Sequence, residues 1–129
     1  DIPLALPALT RASKLGKRAA SVGFDWPDSR GARDKISEEL NELDEAIGDA
    51  QAPERIAAEI GDLLFAVVNL ARHLRIDPEA ALRATNERFR RRFQFIENRL
   101  RESGLTIREM DLAALDGLWQ AAKKAESDQ

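Results

Sequence analysis

The chain has 129 residues, 20 basic and 23 acidic, with a net charge of −3, no cysteine and one histidine, His73. Such a length suits a single domain over 1–129 with a workable core, and the composition excludes disulfides, thiolate zinc sites, iron–sulfur clusters, cysteine nucleophiles and a multi-histidine metal site within one chain. A metal would have to be held by carboxylates, which points to hard ions such as Mg²⁺, with Mn²⁺ as a substitute. The charge balance is no footprint of a generic nucleic-acid binder. Apolar runs such as Leu63–Val68 are too short to span a bilayer, and no signal-peptide pattern opens the chain. We therefore expect no nucleic-acid partner, no membrane partner and a cytoplasmic location. The chain begins with Asp1 and not Met, so it reads as a trimmed chain or a piece of a longer one.

The elements in chain order are all helical, because strand-like alternation is absent. A first helix is predicted from about Ala8 to Ser21, after Pro7. Gly23–Gly31, GFDWPDSRG, reads as a loop of turn residues. A second helix is predicted over about Ala32–Asp49, and the short Ala50–Pro53 connection makes its successor antiparallel. The third helix spans about Glu54–Leu74. Asp77-Pro78 is an N-cap with proline at the first helical position, opening a fourth helix that Ser103-Gly104 stops at about Glu102. A last helix covers about Asp111–Glu126, and residues 1–7 and 127–129 are expected to be flexible ends.

Periodicity predicts the core. Ile36, Leu40, Leu43 and Ile47 form one stripe of the second helix; Leu82, Phe89, Phe93, Ile96 and Leu100 form one of the fourth. The third helix is apolar nearly all round, through Ile56, Ile60, Leu63, Leu64, Val67, Leu70 and Leu74, with Phe65 and Val68 widening the face. Such a helix is central in a bundle or lies at a dimer interface.

The chemistry sits at the edges of these stripes. Glu39 and Glu42 are one helical turn apart beside the apolar stripe of the second helix, and Lys35 lies on the same edge. Glu59 and Asp62 repeat the spacing on the third helix, with Arg55 one turn earlier. Acidic pairs are common on solvated helix faces, where they only add charge. Two pairs bordering core stripes on adjacent helices are a stronger signal, because four carboxylates in a partly dry groove repel until protons or a divalent cation neutralise them. On the fourth helix Arg88 and Arg92 share one edge beside Thr85, whereas Arg91 faces away. Their guanidinium forks suit a polyphosphate, and ion pairs with nearby acids are the equal alternative. His73 and Asn69 share the carboxylate edge of the third helix; His73 reads as a structural hydrogen-bonding residue, and Asn69 as a bond to a partner or ligand. Trp26 and Trp119 read as core anchors ahead of stacking platforms.

The residues now carry a resemblance. Glu38-Glu39-Leu40-Asn41-Glu42 and Glu59-Ile60-Gly61-Asp62 match the EExxE…ExxD pattern of the all-α NTP pyrophosphohydrolases. VGFDWPD (Val22–Asp28), EIGDLLFAVVNLARHL (Glu59–Leu74), NERFRRRF (Asn86–Phe93) and LWQAAKKAE (Leu118–Glu126) make the chain resemble the MazG nucleoside triphosphate pyrophosphohydrolases, most closely the C-terminal catalytic domain of the tandem bacterial members. The resemblance implies an antiparallel four-helix core plus a C-terminal helix, completed by homodimerisation. It implies Mg-dependent hydrolysis of NTPs and dNTPs between the α and β phosphates, giving a monophosphate and pyrophosphate. By it, Glu39, Glu42, Glu59 and Asp62 would bind Mg²⁺, while Lys35, Arg55, Arg88, Arg92 and Trp119 would contact the nucleotide. Glu38 is a candidate for orienting or deprotonating the water, with a second-metal ligand and a solvated residue as alternatives. Many relatives carry lysine where Arg88 stands, which changes the reach to phosphate.

Two other classes compete. A non-catalytic nucleotide-binding or dimerisation module of a longer protein would need no complete carboxylate and basic sets. A di-iron carboxylate bundle needs Glu-x-x-His ligand pairs, and Leu70 stands three residues before the sole histidine, so that class is rejected. A natural single-domain protein and an excised C-terminal domain both remain open at this point, as do the preferred base and the number of metal ions.

Overall fold

The computed structural model describes residues 2–128, and their regular structure is wholly helical, as the sequence predicts. In chain order the helices are α1 (Ala8–Ser21), α2 (Ser29–Gly48), α3 (Pro53–His73), α4 (Pro78–Glu102) and α5 (Leu112–Ser127). A short 3₁₀ turn, Ile107–Glu109, precedes α5 and was not expected from the sequence. The expected flexible ends fall partly on Asp1 and Gln129, which lie outside the described residues. Among the described residues, no helix is long and apolar enough to cross a membrane.

Helix α1 has its expected bounds, but α2 starts at Ser29 and not at Ala32. The cause is a cap: the Asp28 carboxylate accepts from the backbone N–H of Arg30 at 3.0 Å and of Gly31 at 3.3 Å. Two otherwise orphaned donors are satisfied, so the helix begins inside the predicted loop. Helix α3 opens on Pro53, whose missing N–H costs nothing at that position. Asp77 and Asp111 cap α4 and α5 in the same manner as Asp28.

The chain divides into two compact units, Asp1–Ala81 and Leu82–Gln129. In the first, α3 packs against both α1 and α2. The buried line of α2 is Ala32, Glu39 and Ala46, and that of α3 includes Glu59 and Ala66. Seven-residue spacing is the repeat of a helix–helix seam, and alanine lets the two backbones come close. The predicted α2 stripe is therefore corrected: Leu40 is 46% and Ile47 is 55% exposed, and Ile36 and Leu43 are half-buried. Large aliphatic side chains flank the seam while small ones fill it. Alanine contributes little to a hydrophobic pattern, so periodicity pointed to the flanks. On α3, likewise, Ala66 and Val68 are buried whereas Ile60, Leu64, Phe65 and Val67 are exposed, as is Leu74 just past its end.

Gly16 brings α1 close to α3. A Cβ there would lie 3.0 Å from Asn69 Oδ1 and 3.2 Å from Arg72 Nε. The loop between α1 and α2 is tied to the end of α3 by Asp25. Its carboxylate accepts from Arg72 Nη2 at 2.7 Å and Nη1 at 3.1 Å, and His73 Nε2 lies 2.9 Å from Oδ1. His73 thus has the structural role expected of it.

In the second unit, Ile96 and Leu100 of α4 and Ala122 of α5 are buried. The rest of the predicted α4 stripe is exposed, with Leu82 at 45%, Phe89 at 56% and Phe93 at 39%. This is a second correction: α5 runs past this stretch, with Trp119 against Phe89 and Glu126 on Arg92, but one neighbouring helix covers only part of an apolar side.

The Arg72 fork, seconded by His73 and the Trp26 backbone N–H, holds the Asp25 carboxyl well below the usual carboxylate range. A depressed native pKa adds stability that is complete above the unfolded value and lost as pH falls through the folded one. Asp25→Asn is therefore expected to cost about 1–2 kcal/mol at pH 7. The gap between wild type and variant narrows as pH drops below about 4. Urea unfolding at pH 7 and pH 3 measures both; an equal gap at the two values would show that the ion pair contributes nothing.

Candidate functional site

Helix α2 carries Lys35, Glu38, Glu39 and Glu42; helix α3 carries Arg55, Glu59 and Asp62. The α2–α3 seam puts two of these acids where alanine would otherwise be. Glu39 is 6% and Glu59 is 2% exposed. Glu42, on the next turn of α2, is exposed, yet one carboxylate oxygen from each of Glu39, Glu42 and Glu59 lies within 4.8 Å of the others.

The cations reach only half of each buried carboxylate. Lys35 Nζ lies 3.1 Å from Glu39 Oε1, and Arg55 Nη2 lies 2.7 Å from Glu59 Oε1. Glu39 Oε2 and Glu59 Oε2 are buried and have no hydrogen-bond partner. A buried charged oxygen without a partner costs free energy that native structures rarely leave uncompensated. The electrostatics agree. The Glu39 charge, then desolvation, then the Glu59 charge push the Glu42 pKa up, and the hydrogen bond to Glu39 raises that of Lys35. Oxygen-only donors from three carboxylates, two of them with an orphaned atom, fit a hard divalent cation.

The other predicted residues are placed as follows. Asp62 is not within the three-carboxylate group; together with Glu39 and Lys35 it lines a cavity of about 580 Å³. Glu38 is exposed, and its charge is felt by Lys35. In the second unit, Arg88 Nη2 donates to Thr85 Oγ1 at 3.0 Å. Arg92 donates through Nε and Nη2 to both oxygens of Glu126 at 3.0–3.2 Å. Its guanidinium carbon also stands 5.2 Å from the centre of the Trp119 ring. Of the two expected uses of these arginines, ion pairing is what the structure displays for Arg92. Trp119 is half-buried against Phe89, with ring centres 5.5 Å apart. Trp26 departs from the core-anchor expectation: it is 39% exposed and forms part of the cavity wall. Sequence reasoning missed Asp25 and Arg72. Their only signal is a charge of each sign in strings otherwise read for turns and apolar period.

Residues 30–95 match the family model of the MazG nucleotide pyrophosphohydrolase domain. The chain belongs to the MazG family. It is 44% identical over 129 residues to the nucleoside triphosphate pyrophosphohydrolase of Escherichia coli K12, a match covering 99% of this chain and 49% of that protein. It is 43% identical over 118 residues to the nucleoside triphosphate pyrophosphohydrolase/pyrophosphatase MazG of Thermotoga maritima, covering 92% and 45%. It is 46% identical over 126 residues to the uncharacterized protein YabN of Bacillus subtilis, covering 98% and 26%. The chain spans about half the length of the first two relatives. The MazG match includes every acid of the α2 and α3 set, together with Arg88 and Arg92.

The unpartnered oxygens make metal binding measurable without turnover. At pH 7, Mg²⁺ is expected to raise the melting temperature, by the equivalent of about 2.7 kcal/mol at a hundredfold excess over Kd. Glu42→Gln removes one charge of the cluster without emptying the seam. In EDTA it is expected to be no less stable than wild type, because the ionised Glu42 costs stability above its raised folded pKa and that cost lifts as pH falls. In Mg²⁺ it loses most of the shift. Lowering pH weakens the wild-type shift, since protons compete with metal. Equal shifts in the two proteins would remove Glu42 from the site.

Proposed function

We propose that the chain is a Mg²⁺-dependent nucleoside triphosphate pyrophosphohydrolase, cleaving NTPs and dNTPs between the α and β phosphates to a monophosphate and pyrophosphate. The observation that carries this reading is the pair of buried glutamates, Glu39 and Glu59, each with one oxygen on a cation and the other without a partner. A purely structural seam gains nothing from two such charges. The family match and the activity for which the Escherichia coli and Thermotoga maritima relatives are named support it.

Glu39, Glu42 and Glu59 hold the ion in this reading, and Asp62 completes the set from the adjoining cavity wall. The ion, when bound, neutralises triphosphate charge and makes the attacked phosphorus more electrophilic. Lys35 and Arg55 each have N–H donors beyond those spent on the glutamates, and these offset charge developing on the pyrophosphate leaving group. Arg88, Arg92 and Trp119 are assigned to the nucleotide by the family resemblance. Glu38 orients the attacking water and takes its proton. The nucleotide substrate puts the reaction in the cytoplasm, and the chain acts as one MazG-like domain over 1–129.

Incubation with a panel of NTPs and dNTPs, with Mg²⁺ or with EDTA, tests the reaction. Monophosphate plus pyrophosphate is expected in Mg²⁺ alone, and Glu59→Gln is expected to lower kcat/KM at least a hundredfold. Diphosphate plus orthophosphate would refute the bond cut. No product from any nucleotide would favour a binding or dimerisation module.

We propose further that the partner is a second copy of the chain. Leu40 and Ile47 on α2 and Leu64 and Val67 on α3 are large, apolar and exposed. Large apolar side chains left exposed on two packed helices are what an association face offers. Sedimentation equilibrium is expected to return twice the 14.4 kDa chain mass, and Leu64→Glu is expected to return the monomer. A monomeric wild type would refute the pairing.

A further inference from the structure

Arg92 is claimed twice. The family resemblance assigns it to the nucleotide, and the structure shows it ion-paired with Glu126. The two uses compete for the same atoms. Arg92 donates from Nε to both oxygens of Glu126, each at 3.2 Å, and from Nη2 to one of them at 3.0 Å. This edge of a guanidinium is a fork that accepts a phosphate as readily as a carboxylate. The pair joins α4 to α5 and lies wholly within the second unit.

Glu126 has the features of a removable occupant and not of a prop. Arg92 has a second support, because its guanidinium carbon stands 5.2 Å from the centre of the Trp119 ring. Trp119 in turn rests against Phe89. The face of the guanidinium therefore keeps its partner when the edge is vacated. Glu126 itself sits in the last turn of α5, which ends at Ser127. A carboxylate there opposes the helix dipole, and terminal turns open at little cost. About a third of its side chain is exposed, so it can turn into water without leaving a buried charge behind.

The surroundings are those of the phosphate-contacting set. The hydrogen bond from Arg92 holds the Glu126 carboxyl below its ordinary pKa, with the charges of Arg92, Arg91 and Arg88 adding to it. Glu126 is thus ionised at neutral pH and stands in the field of Arg88 and Arg92, the two arginines assigned to the nucleotide.

Resting on the proposed pyrophosphohydrolase reading, we propose that Glu126 is an internal competitor for the substrate, its carboxylate occupying the Arg92 fork until a polyphosphate displaces it. A polyphosphate carries more charge than one carboxylate, and Arg88, which donates to the neutral Thr85 hydroxyl, adds to its hold. A ligand that needs the fork free binds in proportion to the free fraction. A part-exposed ion pair is worth a factor of about five or less. Glu126 therefore weakens polyphosphate binding by up to about fivefold. It takes the fork back when pyrophosphate leaves.

Calorimetric titration with inorganic tripolyphosphate in Mg²⁺ reads this exchange without turnover. Glu126→Gln is expected to bind tripolyphosphate about three- to fivefold more tightly than wild type. Glu126→Asp, which keeps the charge on a shorter arm, should fall between the two. In an Arg92→Ala background, Glu126→Gln should move Kd by less than about 1.5-fold, because no fork remains to be released. In the active enzyme, KM for ATP should fall with Glu126→Gln by the same factor as Kd. A prop and a competitor both lose stability on substitution, so the sign of the Kd change decides between them. Weaker binding by Glu126→Gln would make Glu126 a prop for Arg92 and overturn the proposal. An equal gain in both backgrounds would overturn it too, since Glu126 would then act only by through-space repulsion. Turnover of NTPs with an unchanged Kd would refute the competition and leave the proposed activity intact. Tighter tripolyphosphate binding by Glu126→Gln in a protein that hydrolyses nothing would uphold the competition and refute the activity.

Discussion

Repulsion between Glu39 and Glu59 across the α2–α3 seam is the constraint around which the first unit is organised. Two like charges within 4.8 Å of each other repel by about 3.5 kcal/mol or more at an effective dielectric near 20. Lys35 and Arg55 lie on the same helices, one turn before each glutamate, but both extend into solvent. Solvent-exposed partners return about 1 kcal/mol or less. The balance leaves a site that a cation would relieve. A hydrophobic pair at these positions would make a more stable seam.

The alanines above and below them serve the same end. Ala32 and Ala46 on α2 and Ala66 on α3 let the helices approach closely enough for carboxylates from both to reach one point. Close approach displaces the larger aliphatics to the flanks, and that leaves Leu40, Ile47, Leu64 and Val67 exposed. The clustered carboxylates and the exposed apolar flanks thus follow from one packing choice. The loop after α1 completes the unit, because Asp25 carries it to the end of α3 and Trp26 comes to lie on Gly31.

Much of this was legible in the residues. All five helices follow from turn residues and period, and their bounds agree to within about three residues. Where α2 differs, the cause is Asp28, a cap hidden inside a turn-rich string. The paired acids were visible because i, i+3 spacing at the edge of an apolar stripe follows from helix geometry alone. The predicted core was less faithful, since period analysis weights large side chains and the seam is made of small ones.

What the sequence determined by itself is local: which segments are helical, which acids share a helix edge, and which family the ordered motifs resemble. Those properties depend on residues a few positions apart, where backbone geometry leaves one answer. Tertiary structure decided what depends on contacts between distant segments. It brought Glu39, Glu42 and Glu59 together and placed Asp62 on the cavity wall beside them. It turned Trp26 from an expected core anchor into part of a pocket and joined Asp25 to Arg72 across 47 positions of chain. No helical period encodes such a pairing, because its partner is set by how the helices pack and not by the turns within any one of them.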